Sequence, residues 1–168
     1  MKIKVHIPEQ KLELLDDAGK AIRCYAVSSS EKGVGELIDS NCTPRGKHVI
    51  RAKIGAGQPV NTVFLRRRPT GEIYSPELGE QHPDRDWILT RILWLSGLEP
   101  GFNRLGECDT MRRYIYIHGT PEEGRIGQPA SKGCIRMRNH DIITLFEMVE
   151  PGTLVYIDPG RTSNTEMV

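Results

Sequence analysis

One short stretch, Ser131-Lys132-Gly133-Cys134-Ile135-Arg136-Met137, holds a cysteine, a glycine and two cations, and His118-Gly119-Thr120 begins sixteen positions before the cysteine. If residues 132 to 138 run extended, Lys132, Cys134, Arg136 and Arg138 project to one side and Ile135 and Met137 to the other. Positive charge beside a thiol lowers its pKa and raises the thiolate fraction, and the thiolate is the attacking species. Gly133 allows a sharp turn and a close approach of backbone to substrate without a Cβ clash. The expectation is a cysteine nucleophile, Cys134, primed by its cationic neighbours. A buried structural thiol is the competing reading, because free cysteines are commonly buried. Charged residues on both sides of Cys134 argue against an apolar burial site.

Such a nucleophile needs a base within hydrogen-bond reach, itself oriented by a third group. His118, at the end of a strand pattern, is the candidate base; a satisfied core histidine is the alternative. Acyl transfer also needs donors for the tetrahedral oxyanion. The backbone N–H groups of Lys132, Gly133 and Cys134 are the natural source. Ser131 either holds the bend through its hydroxyl or is a surface serine. Arg136 either binds a substrate carboxylate or tethers the loop. Tyr116, on the His118 face, lines the pocket or packs. His140 opens a helix and should face solvent, and His82, next to Pro83, is a weaker substrate-contact candidate. A metal site is disfavoured, since neither Cys-x-x-Cys nor His-x-x-x-His occurs. A papain-type protease is disfavoured too, because there the cysteine precedes the histidine.

Strands must position these residues. Lys2 to Ile7 alternates polar and apolar, and Lys11 to Leu15 and Lys20 to Val27 flank the turn residues Asp16-Asp17-Ala18-Gly19, a hairpin signal. His48 to Ile54, Thr62 to Leu65, Tyr114 to His118 and Thr153 to Ile157 are further strands, with Tyr114, Tyr116 and His118 on one face. Trp87 to Leu98 is ambiguous by period. Arg66 to Asp86, rich in proline, glycine and charge, reads as a long loop or lid. Within it the run Arg66-Arg67-Arg68 is either a solvated loop or a contact for anionic substrate groups. Asn139 is placed to N-cap a helix whose stripe is Ile142, Leu145, Phe146 and Val149, stopped by Pro151-Gly152.

The 168 residues suit a single domain over 1 to 160 with a polar tail at 161 to 168, and 38% hydrophobic with 27% charged residues mark a globular chain. A net charge of +1 gives no steering toward nucleic acid or anionic lipid. The densest apolar run, Trp87 to Leu98, is interrupted by Arg91 and too short for a membrane span. Met1-Lys2-Ile3-Lys4-Val5 is not followed by an apolar stretch of signal-peptide length. A cytoplasmic location is therefore expected, or a periplasmic one if a leader has been removed. Cys24, Cys42, Cys108 and Cys134 show no secreted disulfide rhythm.

His118-Gly119-Thr120, Ile126-Gly127-Gln128-Pro129-Ala130-Ser131, Lys132-Gly133-Cys134-Ile135-Arg136-Met137, Asn139 and Asp141 together resemble the L,D-transpeptidase family, the YkuD-type catalytic domain. Thr43-Pro44-Arg45-Gly46 is similar to the family's Thr-Pro-x-Gly turn and Pro151 to Val155 to its closing strand, so the resemblance runs from about residue 20 to 158. Many members carry histidine where this chain has Lys132; a backbone N–H role survives that change, and an imidazole role there does not. The resemblance implies a mainly β fold, a sandwich or partly closed barrel with one or two short helices, and a strand at Trp87 to Leu98. It implies the Gly119 carbonyl as the acceptor that orients His118. It also implies a thioester route to cleavage of the bond between meso-diaminopimelate and D-alanine in peptidoglycan stem peptides, with no cofactor. Free muropeptides or wall stem peptides are the expected partners and carbapenem-type β-lactams the expected inhibitors. Without a leader, an L,D-carboxypeptidase trimming tetrapeptides in wall recycling is favoured over a crosslinking or D-amino-acid-exchanging transpeptidase. A non-catalytic stem-peptide binding module is disfavoured, since thiol and histidine are both present.

Overall fold

The computed structural model describes residues 1–160; the expected polar tail at 161 to 168 lies outside the described residues. The chain begins with three strands, β1 (Lys2–His6), β2 (Lys11–Leu15) and β3 (Ala21–Ser28). The hairpin between β2 and β3 turns where expected: Asp16 Oδ1 accepts from the N–H groups of Ala18 and Lys20, and Gly19 takes a φ of +85°. There follow β4 (Gly46–Ile54), β5 (Thr62–Leu65), β6 (Arg68–Ile73), the short helix α1 (Pro76–Gln81) and the long strand β7 (Ile88–Gly97). Then come β8 (Tyr116–Gly119), β9 (Ile135–Met137), helix α2 (Asn139–Met148) and β10 (Leu154–Asp158).

The strands run β4-β10-β1-β2-β3-β9-β8-β7, and β7 pairs back onto β4, so eight strands close a mixed barrel. Of the two architectures expected, the barrel is the one formed, and its closure is complete. The β1–β10 and β8–β9 pairs are parallel. The β5–β6 hairpin is attached outside the barrel, on the first residues of β7 beyond the end of β4.

Period-two alternation sorts the side chains. Ile3 and Val5, Leu12 and Leu14, Leu93 and Leu95, Val155 and Ile157 point into one core with Ile117, Ile135 and Met137. Helix α2 adds Ile142, Leu145 and Phe146 from its apolar stripe. The opposite face of β7, β8 and β9 carries Ile92, Tyr116, His118 and Arg136, and there Phe64 from the hairpin makes a second, smaller cluster with Ile92 and Tyr116. Cys134 packs against this outer cluster. The site-bearing residues therefore stand on the outer wall of the barrel, under a hairpin.

Two expectations are corrected. The long loop at 66 to 86 is built from β6 and α1, and it begins as a two-residue turn in which Arg66 and Arg67 have φ values of 50° and 65°. The strand expected from Tyr114 starts only at Tyr116; Tyr114, with a φ of 57°, is an exposed turn residue, so the shared face of Tyr116 and His118 does not include it. Neither described α-helix is long and apolar enough to cross a membrane.

Candidate active site

The parallel register sets the geometry. Ile117 lies opposite Ile135 and His118 opposite Arg136, so Cys134, one residue before β9, falls level with Tyr116. The Tyr116 N–H donates to Cys134 Sγ at 3.3 Å, and the thiol donates to the Tyr114 carbonyl at 3.5 Å. On adjoining strands, side chains two residues apart share a face. Cys134 is thus diagonal to His118 on the outer wall. The buried imidazole is turned by an Nδ1 contact of 2.6 Å with the Gly119 carbonyl, the acceptor expected for it, which directs Nε2 as the proton-accepting nitrogen.

The loop before Cys134 is fixed on every side. Ala130 and Ser131 both donate their N–H to the Ser29 carbonyl at 2.9 Å. Ser131 Oγ donates to the Cys134 carbonyl at 2.5 Å and accepts from the Gly133 N–H at 3.2 Å. Ser131 therefore holds the bend. Thr43, from the expected Thr-Pro-x-Gly turn, donates through Oγ1 to the Gly133 carbonyl at 2.9 Å. Gly133 has a φ of +129°, and a Cβ there would press on the Cys42 carbonyl and Ile115, so only glycine fits without strain. The Gly133 N–H, expected among the oxyanion donors, is turned toward Ser131 Oγ.

Charge is arranged differently from the sequence expectation. Arg136 is 7% exposed and its guanidinium meets Asp86 at 3.3 Å and Glu122 at 3.4 Å, so it tethers the Asp86 segment and the 122 region. Arg113 is spent on the 35–42 loop, donating to the carbonyls of Cys42 at 2.7 Å and Gly35 at 3.3 Å and to Ser40 Oγ at 3.3 Å. Burial pushes the Cys134 thiol up to about 12, with Asp86 adding to the rise and the Tyr116 N–H, Arg136 and Arg113 opposing it. Burial likewise lowers His118 to about 4, against the Gly119 contact and Asp86. The expected cationic priming of the thiol is thus corrected. Desolvation disfavours the charged form of each partner, which favours the thiol and the neutral imidazole, and Asp86 adds to the rise at the sulfur. The same Asp86 and Arg136 act on both groups, as fits one shared site.

A cavity of about 440 Å³ opens beside the half-buried Cys134, walled by Arg66, Arg67, Asp86, Arg113, Tyr116 and Lys132. Lys132 is exposed at its mouth, and Tyr116 lines it while its hydroxyl accepts from Arg67 at 3.0 Å. A second cavity of about 370 Å³ lies on the far side of Asp86 and Lys132, against Trp87, Glu122 and Arg136. His140 is exposed, as expected. Among the described residues no group of three or more His, Cys, Asp or Glu is placed to hold a metal.

Sequence reasoning missed the supports of the His118 loop. Asn139 is the first helical residue and does not N-cap; Arg138 occupies that position. The buried Asn139 side chain donates to the Thr120 carbonyl at 2.8 Å and accepts from Thr90 Oγ1 at 2.6 Å. Thr90 lies in a bulge of β7, between the partners of Gly119 and His118, with a φ of 77° that a β-branched residue seldom adopts. Gly119 is hemmed in by Asn139 and the Leu89 carbonyl, which leaves no room for a Cβ. No sequence signal marks the bulge; Asn139, polar at the start of an apolar helix, was visible but had a more ordinary explanation.

The L,D-transpeptidase catalytic domain model, YkuD, matches residues 1–157. The chain belongs to this family. YkuD of Bacillus subtilis (strain 168) is 47% identical over 95 residues, covering 56% of this chain and 48% of the relative. YbiS of Escherichia coli (strain K12) is 47% identical over 132 residues, covering 73% of this chain and 42% of the relative. The chain spans less than half the length of these curated relatives. Among solved structures, an L,D-transpeptidase from Mycobacterium smegmatis superposes over 93% of this chain and 57% of its own, at a TM-score of 0.55 and 19% identity. The Ldtfm–avibactam carbamoyl enzyme does so over 96% and 49%, at 0.57 and 18%. These two likenesses establish the barrel fold.

Proposed function

We propose that this L,D-transpeptidase-family chain cleaves the bond between meso-diaminopimelate and D-alanine in peptidoglycan stem peptides, with Cys134 as nucleophile and His118 as base. The observation that carries this is the thiol, open to a cationic cavity, diagonal to an imidazole oriented by the Gly119 carbonyl. Because both groups rest neutral, the proton moves as the bond forms. Sγ attacks the carbonyl carbon while its proton passes to His118 Nε2. The oxyanion is met by the N–H groups of Lys132 and Cys134, and collapse returns the proton to the departing amine of D-alanine. A thioester on Cys134 remains.

Water is the acceptor in this reading: His118 takes its proton, hydroxide adds to the thioester, and the tripeptide leaves with Cys134 restored as thiol. The enzyme would then be an L,D-carboxypeptidase, acting on free muropeptides in the cytoplasm. Two observations support it. The cavity wall is dominated by cations suited to an anionic peptide end, and all four cysteines are unpaired thiols, as suits a reducing compartment. In the other reading, transfer, the second cavity, walled by Asp84, Asp86 and Glu122 as well as Arg85, Lys132 and Arg136, gives an acceptor amine room beside Asp86.

The deciding experiment incubates the protein with disaccharide tetrapeptide, alone and with a D-amino acid or acceptor stem. Tripeptide alone means hydrolysis; an exchanged or dimeric product means transfer and overturns the carboxypeptidase reading. Cys134→Ala should lower either activity by about 10⁴-fold or more, and retained activity would remove Cys134 from the mechanism. One solved neighbour is described in complex with imipenem and another as carrying a faropenem-derived adduct. By extension, a carbapenem should add its mass to this protein and not to Cys134→Ala.

A further inference from the structure

The tip of the β5–β6 hairpin is the most cationic element at the site, and the chemistry assigned to Cys134 and His118 leaves it unused. Its two turn residues are arginines in the left-handed conformation, where Asn and Gly are the usual occupants. Unfavourable backbone retained beside a reactive group is a pointer to function. Arg67 is also held in place. Its guanidinium donates to the Tyr116 hydroxyl at 3.0 Å and stacks 4.6 Å from the Tyr114 ring centroid and 5.0 Å from that of Trp94. One N–H is thereby used and the remaining donors are available to the cavity it shares with Cys134. Among the described residues no carboxylate lies within ion-pair distance of Arg66 or Arg67, whereas Arg136, on the same wall as the thiol, has two. Two uncompensated guanidiniums, one pre-oriented, face the space a substrate must enter.

We infer that Arg67, assisted by Arg66, binds a substrate carboxylate next to the scissile bond and so sets specificity for an acidic peptide end. This rests on the stem-peptide reading above. The planar fork of a guanidinium matches a carboxylate through two parallel hydrogen bonds, and aromatic stacking on Trp94 and Tyr114 leaves its edge free to make them. Two carboxylates of a tetrapeptide are within the same chemistry: that of the terminal D-alanine and that on the diaminopimelate side chain.

The test measures binding by calorimetry to Cys134→Ala, which separates recognition from turnover. The probes are the tetrapeptide acid, its C-terminal carboxamide, and the peptide amidated on diaminopimelate. Arg67→Gln should weaken binding of the acid about ten- to hundredfold. The amide that lacks the recognised carboxylate should bind equally weakly with or without Arg67, which identifies the group. Tyr116→Phe, which removes the support but not the guanidinium, should change affinity by less than about threefold; Arg67→Lys should recover part of the loss. Equal weakening of the acid and both amides by Arg67→Gln, or no weakening of any, overturns the inference. D-Alanine release by the chain with Cys134 intact is scored separately. Release without Arg67-dependent discrimination removes only the carboxylate site, and Arg67-dependent binding without release removes only the proposed reaction.

Discussion

His48 and His118 are both buried, both have Nδ1 against a backbone carbonyl, and both are lowered to about 4 by burial. They differ in the other nitrogen. His48 Nε2 is paired with Thr110 Oγ1 at 2.9 Å, so the ring is satisfied at both ends and closes a structural bridge. His118 Nε2 makes no hydrogen bond among the described residues and belongs to the side that carries the thiol and its cavity. One fold therefore holds a satisfied core histidine and a chemically available one, and depressed basicity does not separate them. The open nitrogen does.

Substitution at both positions breaks this comparison most sharply. His118→Gln should lower kcat/KM for D-alanine release by about 10³-fold while moving the melting temperature little, since glutamine can still reach the Gly119 carbonyl. His48→Ala should cost about 2–3 kcal/mol, because it empties a buried site and strands the Thr110 hydroxyl. That corresponds to a melting temperature about 5–10 °C lower, with activity per folded molecule unchanged. If His48→Ala inactivates the folded protein, or His118→Gln only destabilises it, the two roles have been assigned the wrong way round.

Asn139→Ala probes what holds the His118 loop. Removing its amide leaves the Thr120 carbonyl and the Thr90 hydroxyl without their buried partner. Expected is a loss of about 1–3 kcal/mol in stability together with an activity loss beyond that explained by unfolding. Asn139→Asp keeps the acceptor for Thr90 but not the donor to Thr120. It should be intermediate in kcat, which a purely structural role would not produce.

The mainly β class and the β2–β3 hairpin were legible because each rests on local pattern, alternation or turn residues; a closed barrel as against a sandwich was not, because the β4–β7 pairing that closes it joins strands far apart in the chain. The dense motif named Cys134 and His118 as one candidate site, and the β8–β9 register puts them on one wall. For Ser131 the sequence left a bend-holding hydroxyl and a surface serine open, and its hydrogen bonds to Gly133 and Cys134 decide for the bend. The protonation state was not legible. Lys132, Arg136 and Arg138 near a thiol suggest a lowered pKa, and nothing in the sequence places Asp86, some fifty positions earlier, against Arg136. The arginine turn was hidden because Arg66-Arg67 lacks the usual Asn-Gly signature, so β5 and β6 could not be joined as a hairpin. Thr90 is the extreme case. A buried threonine with positive φ contradicts its own propensity, and its hydroxyl is held from two sides, donating to Asn139 Oδ1 and accepting from the Asn61 N–H at 3.0 Å.

Acid should sharpen the comparison by acting on both histidines alike. Each is neutral in the fold and gains a proton on unfolding below its ordinary value of 6.5, so the unfolded chain binds more protons. The stabilisation they confer is present above about pH 6.5 and is lost as pH falls toward about 4. Melting temperatures across that window should therefore fall with acid. The fall should be shallower in His118→Gln and in His48→Ala, by comparable amounts. A slope unchanged in both variants would show that neither ring is held neutral.

The smallest expected effect concerns the thiol's partner in this balance. Asp86 opposes ionisation of Cys134, so Asp86→Asn should bring the thiol down toward its ordinary value. Alkylation by iodoacetamide at pH 8 should then become about two- to fivefold faster at Cys134, with exposed Cys24 in the same sample as the internal reference. The same substitution releases Arg136 from one of its two carboxylates, which adds to the effect in the same direction because the freed guanidinium favours thiolate. In the parent protein Cys134 should react more slowly than Cys24 at neutral pH and catch up only under alkaline conditions. If Cys134 instead reacts first at pH 7, the sulfur is already ionised at rest, and the concerted proton transfer to His118 gives way to attack by a preformed thiolate.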